Sequence, residues 1–367
     1  MNSDLAQSSP KEDLNSPLPL ATRWYRKVLF GSWGLRAGWG LLFYIALIVL
    51  SQTIVDGIPH WYGQHHPAFG AALQQAEKAS RDLQDRLPGG VLISHGKPIA
   101  VVLLLLWIMS KVERRPYTAY GWGSGHRVRD CAVGFLCGFV MMCGLVGVLW
   151  TAHLLVFDGI LLSGPQALLY GVKWLLAFCL VGLSEEFLSR GYFQYTLARG
   201  FAGLIPKRFS HRYAVGFILA TILLSIDFGA GHRIHSTESL IGLVVAGLSG
   251  LVFSYSLWRS GSLWWAIGAH ASWDWVQSYL FGVGDSGVLC HGRLLASHPT
   301  GQNFLSGGVT GPEGSILALG AILLGALLVR VTVPKRLYPN GLLTTSPLQG
   351  RQASTLQAVQ TQGVNPL

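Results

Sequence analysis

The sequence predicts an all-α polytopic membrane protein, a helical bundle of about eight transmembrane helices. Three observations carry this reading. Of the 367 residues, 50% are hydrophobic and only 12% charged, where a soluble domain carries about 25% charged residues. Mean hydropathy is +0.41. The apolar residues also gather in runs near the ~20 residues that a bilayer requires. These runs fall at roughly 37–56, 92–110, 131–155, 166–189, 213–231, 239–258, 261–282 and 314–334.

Charge between the runs supports each in turn. Residues 1–36 carry Lys11, Arg23, Arg26, Lys27 and Arg36. Their first 20 residues are Ser/Pro-rich and do not read as a signal peptide, since the first apolar run follows Arg36. The run at 92–110 is the weakest, because His95 and Lys97 shorten its apolar core. Loop 111–130 holds Lys111, Arg114, Arg115, Arg127 and Arg129, whereas 156–165 holds no Lys or Arg. Segment 190–212 is again basic, and 283–313 carries only Arg293. Basic-rich and basic-poor loops alternate, so both termini are expected in the cytoplasm, in a bacterial inner membrane. The net charge of +10 is thereby assigned to orientation, and no basic–aromatic patch points to nucleic acid.

The expected organisation is a cytoplasmic tail at 1–36, a membrane domain at 37–335 and a disordered Thr/Gln/Ser-rich tail at 336–367. Within loop 57–91, Leu73, Ala76, Ser80, Leu83 and Leu87 have heptad-like spacing and predict a solvated helix bridging two spans. Gly134 and Gly138 form a small-xxx-small pair that predicts close helix packing. The five cysteines contain no CxxC pair, so neither a disulfide framework nor a zinc ribbon is expected.

Three segments place ionisable residues within the apolar runs. The first is Glu185, Glu186 and Arg190; the second runs from Asp227 and Phe228 to His232, with His235 after it; the third is His270 and Asp274. Intramembrane charges are costly and usually face an interior cavity. On a helix Glu186 and Arg190 share a face at i,i+4, and Glu185 points about 100° away. Arg190 can therefore hold Glu186 while Glu185 stays available. Glutamate with histidines suits hydrolysis: a carboxylate takes a proton from water, and imidazoles hold the water or stabilise an oxyanion. Glu185 and His232 end helices of opposite direction, so they meet only if the fourth helix continues past Arg190, through Gly191–Arg199, and the fifth is tilted or starts late.

Glu185-Glu186-x3-Arg190, Phe228-x3-His232 and His270-x3-Asp274 resemble, in order and spacing, the motifs of the CAAX-processing and bacteriocin-processing intramembrane proteases. The type II CAAX prenyl endopeptidase belongs to that family. The resemblance covers about 165–282. It implies a catalytic core there, an endopeptidase in which Glu185 and His232 activate water, Glu186, Arg190 and Phe228 support the site, and His270 with Asp274 stabilises the oxyanion. The family commonly has Asn where this chain has Asp274, and an ionised Asp would repel an oxyanion unless protonated, paired with His270 or bound to metal. Use of a metal is left open: a divalent ion such as zinc would fall to Glu185, His232 and His270, and HExxH is absent. The implied partners are the lipid bilayer and a peptide or membrane-protein substrate, lipidated or not. Competing readings are an ion-coupled transporter, a non-catalytic membrane scaffold and a rhomboid-like serine protease using Ser249 and His270.

Overall fold

The computed structural model describes residues 28–31, 34–74, 87–123, 126–234 and 238–335. The tail at 336–367, most of the tail at 1–36, His235 and the central part of the heptad-like stretch lie outside these residues. The longer helices are α1 (Ala37–His65), α2 (Pro88–Val112), α3 (Arg127–Thr151), α4 (Gly164–Phe187), α5 (Phe193–Leu204), α6 (Arg212–Gly231), α7 (Leu240–Ser260), α8 (Trp264–Asp274) and α9 (Ala318–Thr332). Their boundaries follow local chemistry. Pro residues open α2 and α4, where a missing N–H costs nothing. The Ser239 side chain accepts from the Gly242 N–H to cap α7, which ends on Gly261 at φ 72°, the left-handed conformation glycine tolerates best.

The molecule is an all-α polytopic bundle. Among the described residues, six helices are long and apolar enough to cross a membrane, one of them the 41-residue Gly164–Leu204. The remaining two expected spans are shorter: α8 passes into a π turn at Trp275–Leu280, and α9 runs only from Ala318 to Thr332. Large apolar side chains cover outward faces, such as Leu168, Leu176, Ile218 and Ile226. Such a surface would be an aggregation liability in water and is satisfied by lipid.

The fourth helix does continue past Arg190. A π turn at Leu188–Tyr192 joins α4 to α5 without a break. At about 1.5 Å per residue, 41 residues extend about 61 Å, twice the ~30 Å of a hydrocarbon core. Glu185 is thereby set well inside the helix rather than at its end. His95, which weakened α2 as a sequence reading, lies within hydrogen-bonding distance of the Ser184 hydroxyl on α4, at 2.8 Å.

Packing converges on α8, which lies chiefly against α3 and α4. Gly134 and Gly138 of α3 meet the backbone carbonyls of Trp265 and Ala269, and Gly268 of α8 meets the carbonyl of Cys131. Backbone touches backbone at three points, which the small-xxx-small spacing anticipated only from the α3 side. A departure from a purely helical bundle is the antiparallel pair β3 (Leu155–Ile160) and β4 (Leu295–Pro299), which ties the end of α3 to the long loop after α8. A second pair, β1 (Phe30–Gly31) and β2 (Gly34–Leu35), precedes α1. The β3–β4 pairing spans so large a sequence separation that it leaves no local period to read.

Gly268→Ala should lower the thermal unfolding temperature in detergent, since overpacking against backbone costs about 1–3 kcal/mol. Gly144→Ala, on α3 where an added Cβ meets nothing within 4 Å, should leave it unchanged or raise it. Equal melting of the two variants would remove the glycine crossing as a determinant of α8 placement.

Candidate active site

The last turns of α4 present two adjacent carboxylates in different environments. Glu186 is fully buried, and its two oxygens each accept from Nη1 of Arg190 at 2.8 Å. The guanidinium is itself enclosed, with Cζ 4.6 Å from the Phe228 ring centroid and 5.4 Å from that of Phe253. Nε of Arg190 donates to the Gly250 carbonyl at 3.4 Å. Two aromatic faces, a carboxylate and a carbonyl replace part of the water this cation would otherwise need, while its buried Nη2 has no hydrogen-bond partner among the described residues.

His270 of α8 reaches the same carboxylate, with Nδ1 3.1 Å from Glu186 Oε1. Its Nε2 faces Glu185 Oε2 at 3.7 Å and Asp274 Oδ2 at 3.6 Å. The ring stacks on Phe253 at 5.5 Å and 18°. Both nitrogens of one imidazole therefore address carboxylates: Glu186 fixes the ring, and Nε2 lies between Glu185 and Asp274. Glu185 keeps 29% of its side chain exposed, whereas Glu186 keeps none.

His232 follows the end of α6, and its Nδ1 lies 2.7 Å from the Phe228 carbonyl. A carbonyl only accepts, so Nδ1 carries the proton and Nε2 of the neutral ring has the lone pair. Phe228 thus has two roles: its ring covers Arg190 and its carbonyl selects the His232 tautomer. Asp227, beside it, is exposed on the outer face of α6 and is not brought into the site.

One cavity of about 170 Å³ joins these groups, lined by Glu185, Phe228, His232, Phe253, His270 and Asp274. Ser249 also lines it. Reading the motifs alone missed two carboxylates, Asp285 and Glu313, which line the same cavity from the loop after α8. The Ser278 hydroxyl donates to Asp285 at 2.9 Å, and the Ser286 N–H donates to Glu313 at 2.5 Å. Burial pushes the Asp285 carboxyl above its ordinary range, against the Ser278 hydrogen bond. Burial, then the charges of Asp285 and Glu238, push Glu313 well above its own. The available signal was that these are the only two acids between 283 and 313.

Glu185, His232 and His270 are the residues that a divalent ion would use. Among the described residues, no three His, Cys, Asp or Glu side chains form a group able to hold a metal ion. His270 turns one nitrogen to Glu186 and the other toward two further carboxylates, which leaves that nitrogen shared. These residues do not fit the ion as a three-ligand site.

Arg190→Ala would strand the buried Glu186 charge, and removing one partner of such a pair costs about 3–5 kcal/mol. The variant should melt well below wild type in detergent, and Arg190→Lys should fall between them, keeping charge without the planar stack. Wild-type melting of Arg190→Ala would remove the pair from the account of stability.

No curated protein and no solved structure matches this chain. A family model does: residues 167–276 match the one described as Type II CAAX prenyl endopeptidase Rce1-like. Glu185, Glu186, Arg190, Phe228, His232, His270 and Asp274 all fall inside that segment, while Asp285 and Glu313 lie beyond it. The part of the chain that builds the cavity's Glu–Arg–His core is thus the part similar to the Rce1-like type II CAAX prenyl endopeptidase family.

Proposed function

We propose that this integral membrane protein is an intramembrane endopeptidase of the CAAX-processing type, in which Glu185 and His232 activate water. The observation that carries the reading is the division of labour between adjacent glutamates. Glu186 is spent on Arg190 and His270, whereas Glu185 is partly exposed in the cavity. The similarity of residues 167–276 to the family model supports a peptidase and a peptide substrate.

His232 Nε2 accepts a hydrogen bond from water while Glu185 takes the other proton. The water oxygen then bonds to the peptide carbonyl carbon. His270 Nε2–H donates to the resulting oxyanion, with Nδ1–H held by Glu186. Glu185 returns its proton to the leaving nitrogen as the C–N bond breaks, yielding a carboxylic acid and an amine. In this reading Asp274 orients His270 through their 3.6 Å approach and does not contact the oxyanion. The substrate is a peptide or membrane-protein segment, and a lipidated C-terminus accords with the family's description.

Cleavage by purified protein in detergent tests this. Glu185→Gln should fold, bind peptide and lose most turnover. His270→Ala should retain a small rate, since losing an oxyanion donor costs about 100- to 1000-fold. Ser249→Ala should cleave normally, and serine-directed inhibitors should have no effect. Near-normal turnover by folded Glu185→Gln, or an adduct on Ser249, would overturn the assignment in favour of a serine mechanism; no cleavage by wild type of any peptide or membrane protein would favour transport or a scaffold.

The segments outside the match are assigned with the same proposal. The chain carries a cytoplasmic tail at 1–36, a membrane domain at 37–335 and a C-terminal tail at 336–367 on the same side, in a bacterial inner membrane. The alternation of basic loops supports this. Reporter fusions after residues 160 and 290 should read as exported and one after residue 120 as cytoplasmic; an exported signal at 120 would invert the orientation.

A further inference from the structure

A second cavity, of about 640 Å³, lies where the start of α1, the last turns of α5 and the start of α6 meet. Among the described residues, Arg36, Arg199, Lys207 and Arg212 line it and no Asp or Glu does. Behind it, Glu113 pairs with both Arg199 at 3.2 Å and Arg115 at 3.3 Å. The first turn of α1 opens onto the same space, with Arg36 as N-cap, no side-chain cap and no acidic residue. Its N–H groups add the partial positive charge of a helix N-terminus.

The rest of the wall is apolar. Leu35, Leu41, Leu197, Phe201 and Leu204 line the cavity, and Leu204 is 82% exposed at its rim. Gly38 and Gly203 have open space where a side chain would stand. A fully water-soluble anion would use the cations and leave this wall unused. A ligand with a negative head and an apolar chain uses both, and the volume suits a small ligand's bulk. Helix ends carrying basic pockets are where anionic headgroups sit.

We propose that this cavity binds one anionic phospholipid, with its phosphate among Arg36, Lys207 and Arg212 at the start of α1 and its acyl chain along Leu41, Leu197 and Leu204. The site is remote from the Glu185 cavity and does not depend on the proposed chemistry.

Native mass spectrometry of the full chain, delipidated in detergent and titrated with phosphatidylglycerol or phosphatidylcholine, tests it. Phosphatidylglycerol should bind at least about tenfold tighter. Lys207→Gln/Arg212→Gln should weaken it by roughly 10- to 30-fold, two charges at about fivefold each. Gly38→Trp keeps every charge but fills the cavity, and should weaken it comparably. Lys335→Gln, an exposed cation outside the cavity, should have no effect, and inorganic phosphate should not displace the lipid. Equal affinity for the two lipids in the wild type would overturn the proposal. So would an equal loss in Lys335→Gln, which would mean diffuse surface charge, or full displacement by phosphate, which would mean a free-anion site.

Discussion

The Glu186 carboxylate is the interaction on which the arrangement depends. It is fully buried and accepts from Arg190 on its own helix while lying within hydrogen-bonding reach of His270 on α8. An isolated carboxylate at such depth would be neutralised or would unfold its surroundings. Held by a guanidinium and an imidazole, it becomes a fixed point that orients both. Arg190 in turn needs Phe228 and Phe253 over its faces, and Gly250 offers it a carbonyl at close approach. Four helices are therefore referenced to a single carboxylate: α4, α6 through Phe228, α7 through Gly250 and Phe253, and α8 through His270.

That reference would fail if α8 could shift. The glycine contacts between α3 and α8 prevent this, because carbonyl oxygens sit where side chains would be. The two π turns, at Leu188–Tyr192 and Trp275–Leu280, begin within a few residues of the charged motifs. Single π turns often accompany functional sites, where they re-aim side chains without ending the helix. The first keeps a 41-residue helix continuous through Arg190, so Glu185 and His232 line one cavity even though the polypeptide directions of α4 and α6 are opposed.

The loop after α8 completes the cavity. β4 pairs with β3, which holds the segment against the bundle, and the loop brings Asp285 and Glu313 to face His232 and His270 across about 170 Å³. Their hydrogen bonds from Ser278 and Ser286 compensate part of the cost of placing further carboxylates beside Glu185. The cavity thus has a wall that lies outside the segment matched by the family model.

By itself the sequence determined the helical bundle, the position of each apolar run and the residues of the charged core. Those features are local: a hydrophobic run reports a helix, and Glu186 with Arg190 at i,i+4 reports a shared face. It also indicated that α4 must pass Arg190, together with a tilted or late-starting fifth helix, if the opposed helices of Glu185 and His232 were to meet. Only the tertiary structure decided that His270 uses both nitrogens, that Phe228 sets the His232 tautomer through its carbonyl, that Gly268 is the α8 counterpart of Gly134 and Gly138, and that Asp285 and Glu313 enter the cavity. Each of these pairs a group with one that is remote in the chain, or depends on a backbone atom that carries no residue identity, and no period or spacing records such a meeting.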